Sequence, residues 1–372
     1  MLQYCAAKVM NSVSMKTTVM RIKRVTYQEM VIPLKQPYRL SHSTITNLET
    51  IIVKIETENT IGIGEATIIP IYSNETIDIV KKVIDEIMPH LKGKRITDIE
   101  DINKLFKYKV PKSHLAKSAI ECAIYDALGK ELKLPLYDII GGRVRDKIEL
   151  VGTIGICSIE QAVNLASHFI KKGFQTLKIK VGRDIEEDIR RITAIRDLDE
   201  NIKLRIDANE AYTFDEALKM ANILEEIGVE LFEQPLPRDR INELKKLREY
   251  INIPIMVDES VYTIKDLINI IENNAADMVK LKVMKSGITD TKVIATIAEE
   301  FDISCIIGNG VQTEVGALTE VHIAVSTPNI NPICECVGPL KIKKFITKEG
   351  FRIKGAVVEI PNNPGIGLTL IN

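Results

Sequence analysis

Residues 175–287 contain five short apolar runs, each ending in charged side chains. They are TLKIKVG (176–182) with Lys178 and Lys180, LRIDAN (204–209) with Asp207, LFEQP (231–235) with Glu233, IMVDES (255–260) with Asp258, and MVKLKVMKSG (278–287) with Lys282. Lys180, Asp207, Glu233, Asp258 and Lys282 follow one another at intervals of 27, 26, 25 and 24 residues, with helical periodicity between them. A strand, a helix and two loops need roughly 25–30 residues, so the stretch reads as successive βα units feeding a parallel sheet. In such sheets functional groups gather at the C-terminal ends of the strands. Three acids and several lysines are therefore expected at one mouth.

Working outward, ELVGTIGI near Ile148 precedes these runs, and ISCIIGNG (303–310) and PICECVGPL (332–340) follow them. Eight strands with intervening helices predict an α/β fold, a (β/α)7β TIM-like barrel over residues 147–340. Residues 20–146 read as an α+β N-terminal capping domain. Its strands are RIKRVTYQEMVIPL (21–34), ETIIVKIETEN (49–59) and TIGIGEAT (60–67). Three helical patterns follow: 74–91, with Asn74 as N-cap; 96–108; and 113–132, where Ala116, Ala119, Ala123 and Ala127 suggest close packing. The polar stretch Gln36–Asn47 is long for a hairpin connection and reads either as a solvated loop or as a lid, with Ser41, His42 and Ser43 as substrate contacts. Residues 341–372 return to strand-like alternation and are expected to pack back on the capping domain, completing it. Residues 1–19 read as a flexible leader or the product of an upstream start codon.

The chain has 372 residues with 50 Lys and Arg against 51 Asp and Glu, a net charge of −1. This balance offers no field for nucleic acid, and no apolar run is long enough to span a membrane. The first twenty residues lack the basic head and apolar segment of a secretory signal. The six cysteines lack metal or disulfide spacing, and Cys334 and Cys336, two apart on one strand face, read as ordinary packing. A reduced, cytoplasmic protein is the default expectation.

Lys178 and Lys180, two apart on a strand, share one face, and the barrel mouth is the place where both can find partners. Asp207, Glu233 and Asp258 at three consecutive strand ends would crowd like charges unless a cation relieved them. Asp258 could alternatively serve only as a helix N-cap. Oxygen ligation without nearby His or Cys favours a hard ion, Mg²⁺ over zinc. Lys282 lies one strand beyond the last acid, across the mouth from Lys180, with Lys280 and Lys285 as competing candidates. Two facing bases over a metal suit removal of a proton from one face of a carbon acid and delivery to the other.

The ordered set K-I-K (178–180), D-A-N (207–209), E-Q-P (233–235), D-E-S (258–260) and K-V-M-K-S-G (282–287) resembles the enolase superfamily, and within it the muconate-lactonizing-enzyme subgroup. That subgroup includes dipeptide epimerases, N-acylamino acid racemases, o-succinylbenzoate synthases and muconate cycloisomerases. G-I-G-E-A-T (62–67) and A-I-Y-D-A (123–127) extend the resemblance over nearly the whole chain from Met20. It implies Mg²⁺, or Mn²⁺, on Asp207, Glu233 and Asp258. Lys180 and Lys282 become the acid/base pair, Lys178 an electrostatic support, and Asn209 a substrate contact; a homo-oligomer is also implied. The superfamily's mandelate-racemase branch would present a histidine at the seventh strand, and Ile303–Gly310 has none.

The resemblance implies a Mg²⁺-dependent racemase or epimerase that abstracts the α-proton of a small carboxylate through a metal-stabilised enediolate. The substrate would be an N-substituted amino acid or dipeptide. A muconate-type cycloisomerase or other lyase is the alternative, and a non-catalytic metal-bound scaffold a third reading. Dipeptide epimerases carry an Asp-x-Asp pair on the eighth strand for the substrate ammonium. Here Glu335 fills the first place and Val337 the second, which resembles the cycloisomerases more, although one glutamate could still meet an amine.

Overall fold

Strands β1 (Arg24–Arg39), β2 (Thr44–Glu56) and β3 (Ile61–Ile68) form an antiparallel meander in the computed structural model, which describes residues 20–371. The predicted leader, 1–19, lies outside the described residues. The middle of β2 is apolar on both faces because it is covered twice. Ile51, Val53 and Ile55 join the core beneath the capping helices, while Leu48 and Ile52 join the barrel core. Those helices are α1 (Ile77–Leu91), α2 (Ile99–Lys109) and α3 (His114–Leu132). The N-cap of α1 is Thr76, whose side chain accepts from the Ile79 N–H, and not Asn74. Asn74 sits at φ 58°, in the left-handed region, whereas an N-cap residue is extended.

The stretch Gln36–Asn47 is mostly strand, not a long loop. β1 runs to Arg39 and β2 resumes at Thr44, with Tyr38 opposite Ile45 and a register shift between Pro33 and Tyr38. Only residues 40–43 form the tip. The polar letters fall on the exposed side while Tyr38 and Leu40 turn inward, so composition suggested a loop where alternation makes a hairpin.

The helix α3 carries the small-residue stripe for a definite reason. A Cβ added at Gly62 or Gly64 would lie 2.0 Å from the carbonyl oxygen of Ala123 or Ala119, so β3 rests directly on the helix backbone. Gly62→Ala is therefore expected to cost about 1–3 kcal/mol, read as a lower urea midpoint with unchanged slope. An unshifted midpoint would show that the two elements part freely.

The barrel strands are β4 (Ile148–Leu150), β5 (Gly152–Ile154), β6 (Thr176–Lys180), β7 (Lys203–Asp207), β8 (Leu231–Glu233), β9 (Ile255–Val257), β10 (Met278–Leu281), β11 (Ser304–Ile307) and β12 (Ile333–Cys334). β5 to β11 are parallel neighbours in chain order. β12 closes the ring: Glu335 N–H donates to Ile307 C=O on one side, and Ile333 and Cys334 pair in parallel with β4 on the other. β4 and β5 are one strand interrupted at Val151, so the ring has eight positions. The helices between are α4 (Ile159–Lys171), α5 (Ile185–Arg196), α6 (Phe214–Ile227), α7 (Ile241–Tyr250), α8 (Ile264–Glu272), α9 (Val283–Glu300) and α10 (Glu314–Val325). Thr213 and Thr263 form capping boxes at α6 and α8, and Gly228 ends α6 in the left-handed conformation.

Buried acids of the capping domain tie it to the barrel. Glu65 accepts from the N–H groups of Thr313 and Gly316 at the start of α10. Glu121 accepts from the Ile288 N–H just after the Gly287 kink of α9. Both place a carboxyl at helix N–H donors that have no partner within their own helix, where the helix dipole favours an acceptor. The tail divides its contacts. β13 (Ile353–Lys354) and β14 (Val357–Val358) extend a sheet from β4, while Ile366 N–H donates to Asp126 of α3.

Candidate active site

The ring order puts β6 four positions from β10, on opposite sides of the barrel. Lys180 ends β6, and Lys282 lies one residue beyond β10. Both line one cavity of about 20 Å³, together with Lys178, Glu335, Tyr72 and the hairpin residues Tyr38, Leu40 and Ile45. Lys282 Nζ also lies 4.3 Å from the Tyr72 ring centre. Lys280 and Lys285 do not line this cavity. Lys280 lies deeper, 2.6 Å from Glu335, and Lys285 turns toward Asp258 Oδ1 at 3.0 Å. Of the three candidate lysines, Lys282 is the one that lines the cavity.

Asp207 and Glu233 are fully buried and face each other in register on β7 and β8, and Asp258, 2% exposed, follows β9. Lys178 Nζ bridges Asp207 at 2.8 Å, Glu233 at 2.5 Å and Glu335 at 2.7 Å. Lys180 meets Asp207 at 2.5 Å and Asn209 Oδ1 at 2.7 Å, and Lys282 meets Asp258 at 2.6 Å. Burial alone would raise the pKa of Asp207, but Lys178 and Lys180 outweigh it and hold the group at about 2. Glu233 moves the other way: burial and the Asp207 charge push it well above the usual carboxylate range. For Lys180 and Lys282 burial is likewise outweighed, chiefly by Asp207 and Asp258 respectively, so both ammonium groups are held protonated.

Lysine Nζ atoms stand between the acids, and among the described residues no three His, Cys, Asp or Glu side chains stand close enough together to enclose an ion as placed. The chemistry of the three acids nevertheless suits a hard divalent ion. They are carboxylates on adjacent strands, and Glu233 Oε1 is buried without a hydrogen-bond partner. The backbone beside them is strained. Asn209, Glu210 and Gln234 have φ of 45°, 68° and 36° just past Asp207 and Glu233, a conformation usually kept at functional sites. Gln234 Oε1 in turn accepts from the Asp258 and Ser260 N–H groups, fixing the Asp258 strand end.

The hairpin tip meets the barrel but sends different residues inward from those its polarity suggested. Ser41 Oγ donates to the Asn209 carbonyl oxygen, His42 is exposed, and Ser43 Oγ is buried without a partner. Arg183 donates to the carbonyls of Leu40, Ser41 and Ser43, fastening the tip to the loop after β6. Asn209 is occupied too, donating to Glu259 at 2.9 Å. Glu335 does line the cavity, with its charge shared by Lys178 and Lys280. Lys285 and Glu259 complete the charged cluster. Both fall inside quoted motifs, Lys285 as a competing candidate for the base and Glu259 with no role assigned to it.

Comparison with known proteins gives the family. Residues 22–141 match the family model described as mandelate racemase / muconate lactonizing enzyme, N-terminal domain, and residues 161–372 match enolase C-terminal domain-like. The L-Ala-D/L-Glu epimerase of Bacillus subtilis is 33% identical, covering 94% of this chain and 99% of that one, with a TM-score of 0.90. The N-succinyl Arg/Lys racemase of Bacillus cereus is 29% identical over 95% and 96% of the two chains, TM-score 0.92. The dipeptide epimerase of Enterococcus faecalis, solved with Mg and the dipeptide L-Leu-L-Tyr, is 31% identical over 94% and 100%, TM-score 0.91. With both halves matched and the barrel's charged strand ends in place, the chain belongs to the enolase superfamily, in its muconate-lactonizing-enzyme subgroup, and is an isomerase of that superfamily.

Proposed function

We propose that the protein is a Mg²⁺-dependent racemase or epimerase acting at the α-carbon of a small carboxylate, an N-substituted amino acid or dipeptide. The observation that carries this is the pair Lys180 and Lys282, buried on opposite sides of one cavity. Once its acid partner turns away, the lysine on one side can shed its proton and, as a neutral amine, take the α-proton from one face while the other lysine, still an ammonium, delivers a proton to the opposite face, and Lys178 supplies positive charge beside the substrate carboxylate. Asp207, Glu233 and Asp258 would hold the divalent ion, which when bound stabilises the negative charge that builds as the proton leaves. The cavity admits little more than one water as it stands, so substrate entry requires the lysine–acid pairs to open and the hairpin's Leu40 and Ile45 to give way.

A second reading, a cycloisomerase, is favoured by the end of β12. Glu335 is already paired with Lys178 and Lys280, and Val337, 1% exposed, offers no second acid. The same observation narrows the first reading toward substrates whose α-nitrogen is uncharged, as in an N-acylamino acid. The test is to incubate the protein and Mg²⁺ with dipeptides, N-acylamino acids and muconate-like acids in D₂O and follow α-hydrogen exchange by mass. Exchange with inversion is expected for an N-acylamino acid. Turnover of muconate-like acids alone would favour the cycloisomerase.

A further inference from the structure

The parallel ladder between β10 and β11 ends at the barrel mouth, where the Gly308 N–H donates to the Leu281 carbonyl oxygen. Beyond that bond the chain carries Lys282 and Val283 on one side and Asn309 on the other, and their buried N–H groups need acceptors. A single side chain serves both. Glu320 of α10 accepts from the Val283 N–H at 3.2 Å through one oxygen, and from the Asn309 N–H at 3.0 Å and Gln312 Nε2 at 2.5 Å through the other. The carboxyl thus continues the ladder as a clip between the strand end that carries Lys282 and the one whose Asn309 lines the catalytic chamber.

Glu320 is fully buried, and burial pushes its pKa up to about 7. Lys280 and Lys282 lower it only through space, being themselves paired with Glu335 and Asp258. A buried acid without an ion pair of its own costs stability, which an apolar side chain in its place would spare. The segment it holds is short. The Gly287 kink, at φ 76°, interrupts α9, so residues 283–286 form one turn between Lys282 and the kink. The capping domain grips the same turn: Ser118 Oγ donates to the Val283 carbonyl oxygen at 2.6 Å and His114 Nδ1 to that of Lys285 at 2.8 Å. The opposite lysine is anchored independently. Past Lys180, the Gly182 N–H donates to Asp188 at 2.7 Å, and Arg191 donates to the Lys180 carbonyl oxygen at 3.3 Å. None of the Glu320 bonds reaches that side of the ring.

We infer that Glu320 is a positioning residue for Lys282: by fixing the Val283 N–H against Asn309 it sets where the Lys282 side chain enters the chamber, and so governs proton transfer on one face of the substrate carbon. This role rests on the two-lysine reading above. Glu320 does not line the chamber and acts through Lys282. A misplacement of about 1 Å at a reacting group can cost about 10²-fold in rate, so a small relaxation at Val283 is enough. A residue that merely stabilised the barrel would affect both faces alike.

The test measures deuterium wash-in separately for the two enantiomers of whichever N-acylamino acid or dipeptide exchanges fastest in the D₂O screen. Glu320→Ala leaves both N–H groups without their acceptor. It is expected to lower kcat about 10–100-fold, with little change in KM, for the enantiomer whose exchange Lys282→Ala abolishes, and to leave the other enantiomer near wild type. Glu320→Gln keeps one accepting oxygen and is expected to show the same asymmetry at smaller size, which serves if the alanine variant does not fold. Equal loss for both enantiomers, or no loss for either, overturns the inference. Crystal structures of wild type and Glu320→Gln provide a reading that needs no turnover. Lys282 Nζ is expected to shift relative to Asp258 while Lys180 keeps its place beside Asp207, and an unmoved Lys282 also overturns the inference. If wild type exchanges none of the carbon acids but Lys282 moves in the variant, the racemase reading fails while the positioning role stands.

Discussion

Lys282→Ala is expected to abolish net inversion while retaining α-proton exchange from the one enantiomer that presents its hydrogen to Lys180. Lys180→Ala should show the mirror pattern. The expectation follows from position: the two Nζ groups enter one cavity from strands on opposite sides of the ring, so each can serve only one face of the substrate carbon. General acid/base groups contribute about 10²–10⁴-fold, so either loss stands far above assay noise. Wash-in of deuterium is measured for each enantiomer separately in both single variants. A cycloisomerase would show no mirror, because one lysine carries the proton and the other supplies charge. Equal exchange of both enantiomers by Lys282→Ala would sink the two-base mechanism.

The strand ends were legible because their spacing is a geometric consequence of the βα unit. Asp207, Glu233 and Asp258 fall on adjacent strands wherever each unit is about 25 residues long. Among the lysines near β10, strand parity and depth already favoured Lys282 over Lys280 and Lys285, and the structure adds that Lys282 lines the cavity while the other two do not. The roof of the cavity was read from the wrong letters. Ser41, His42 and Ser43 drew attention by polarity, yet Tyr38, Leu40 and Ile45 reach inward, because the register of a hairpin decides which face each residue takes. Glu65 could be quoted as part of G-I-G-E-A-T, but its partner Thr313 is 248 residues away, and no local pattern encodes that docking.

Replacing any one of Asp207, Glu233 and Asp258 by its amide should remove both activity and the stabilisation of the protein by Mg²⁺, but the cost to the fold should differ among the three. A bound ion stabilises the folded state by mass action, about 2.7 kcal/mol at a hundred times its dissociation constant, so melting with and without Mg²⁺ reports ligation independently of turnover. Glu233 is the acid that burial and Asp207 push toward its neutral form, and one of its oxygens has no partner. Glu233→Gln is therefore expected to leave the melting temperature without Mg²⁺ nearly unchanged. Asp258 instead balances Lys282 at 2.6 Å and Lys285 at 3.0 Å, all three buried. Asp258→Asn leaves two ammonium groups facing a neutral amide, and breaking a buried pair from one side costs about 3–5 kcal/mol. The variant should melt several degrees lower even in the absence of Mg²⁺, and calorimetry should show weakened Mg²⁺ binding. Full activity in Asp258→Asn with unchanged Mg²⁺ affinity would remove that residue from the site. Because the lysines and the ion compete for the same oxygens, Lys282→Ala should, by contrast, bind Mg²⁺ at least as tightly as wild type while turning over no substrate. Reduced affinity in that variant would show that the lysine supports the metal site and does not compete with it.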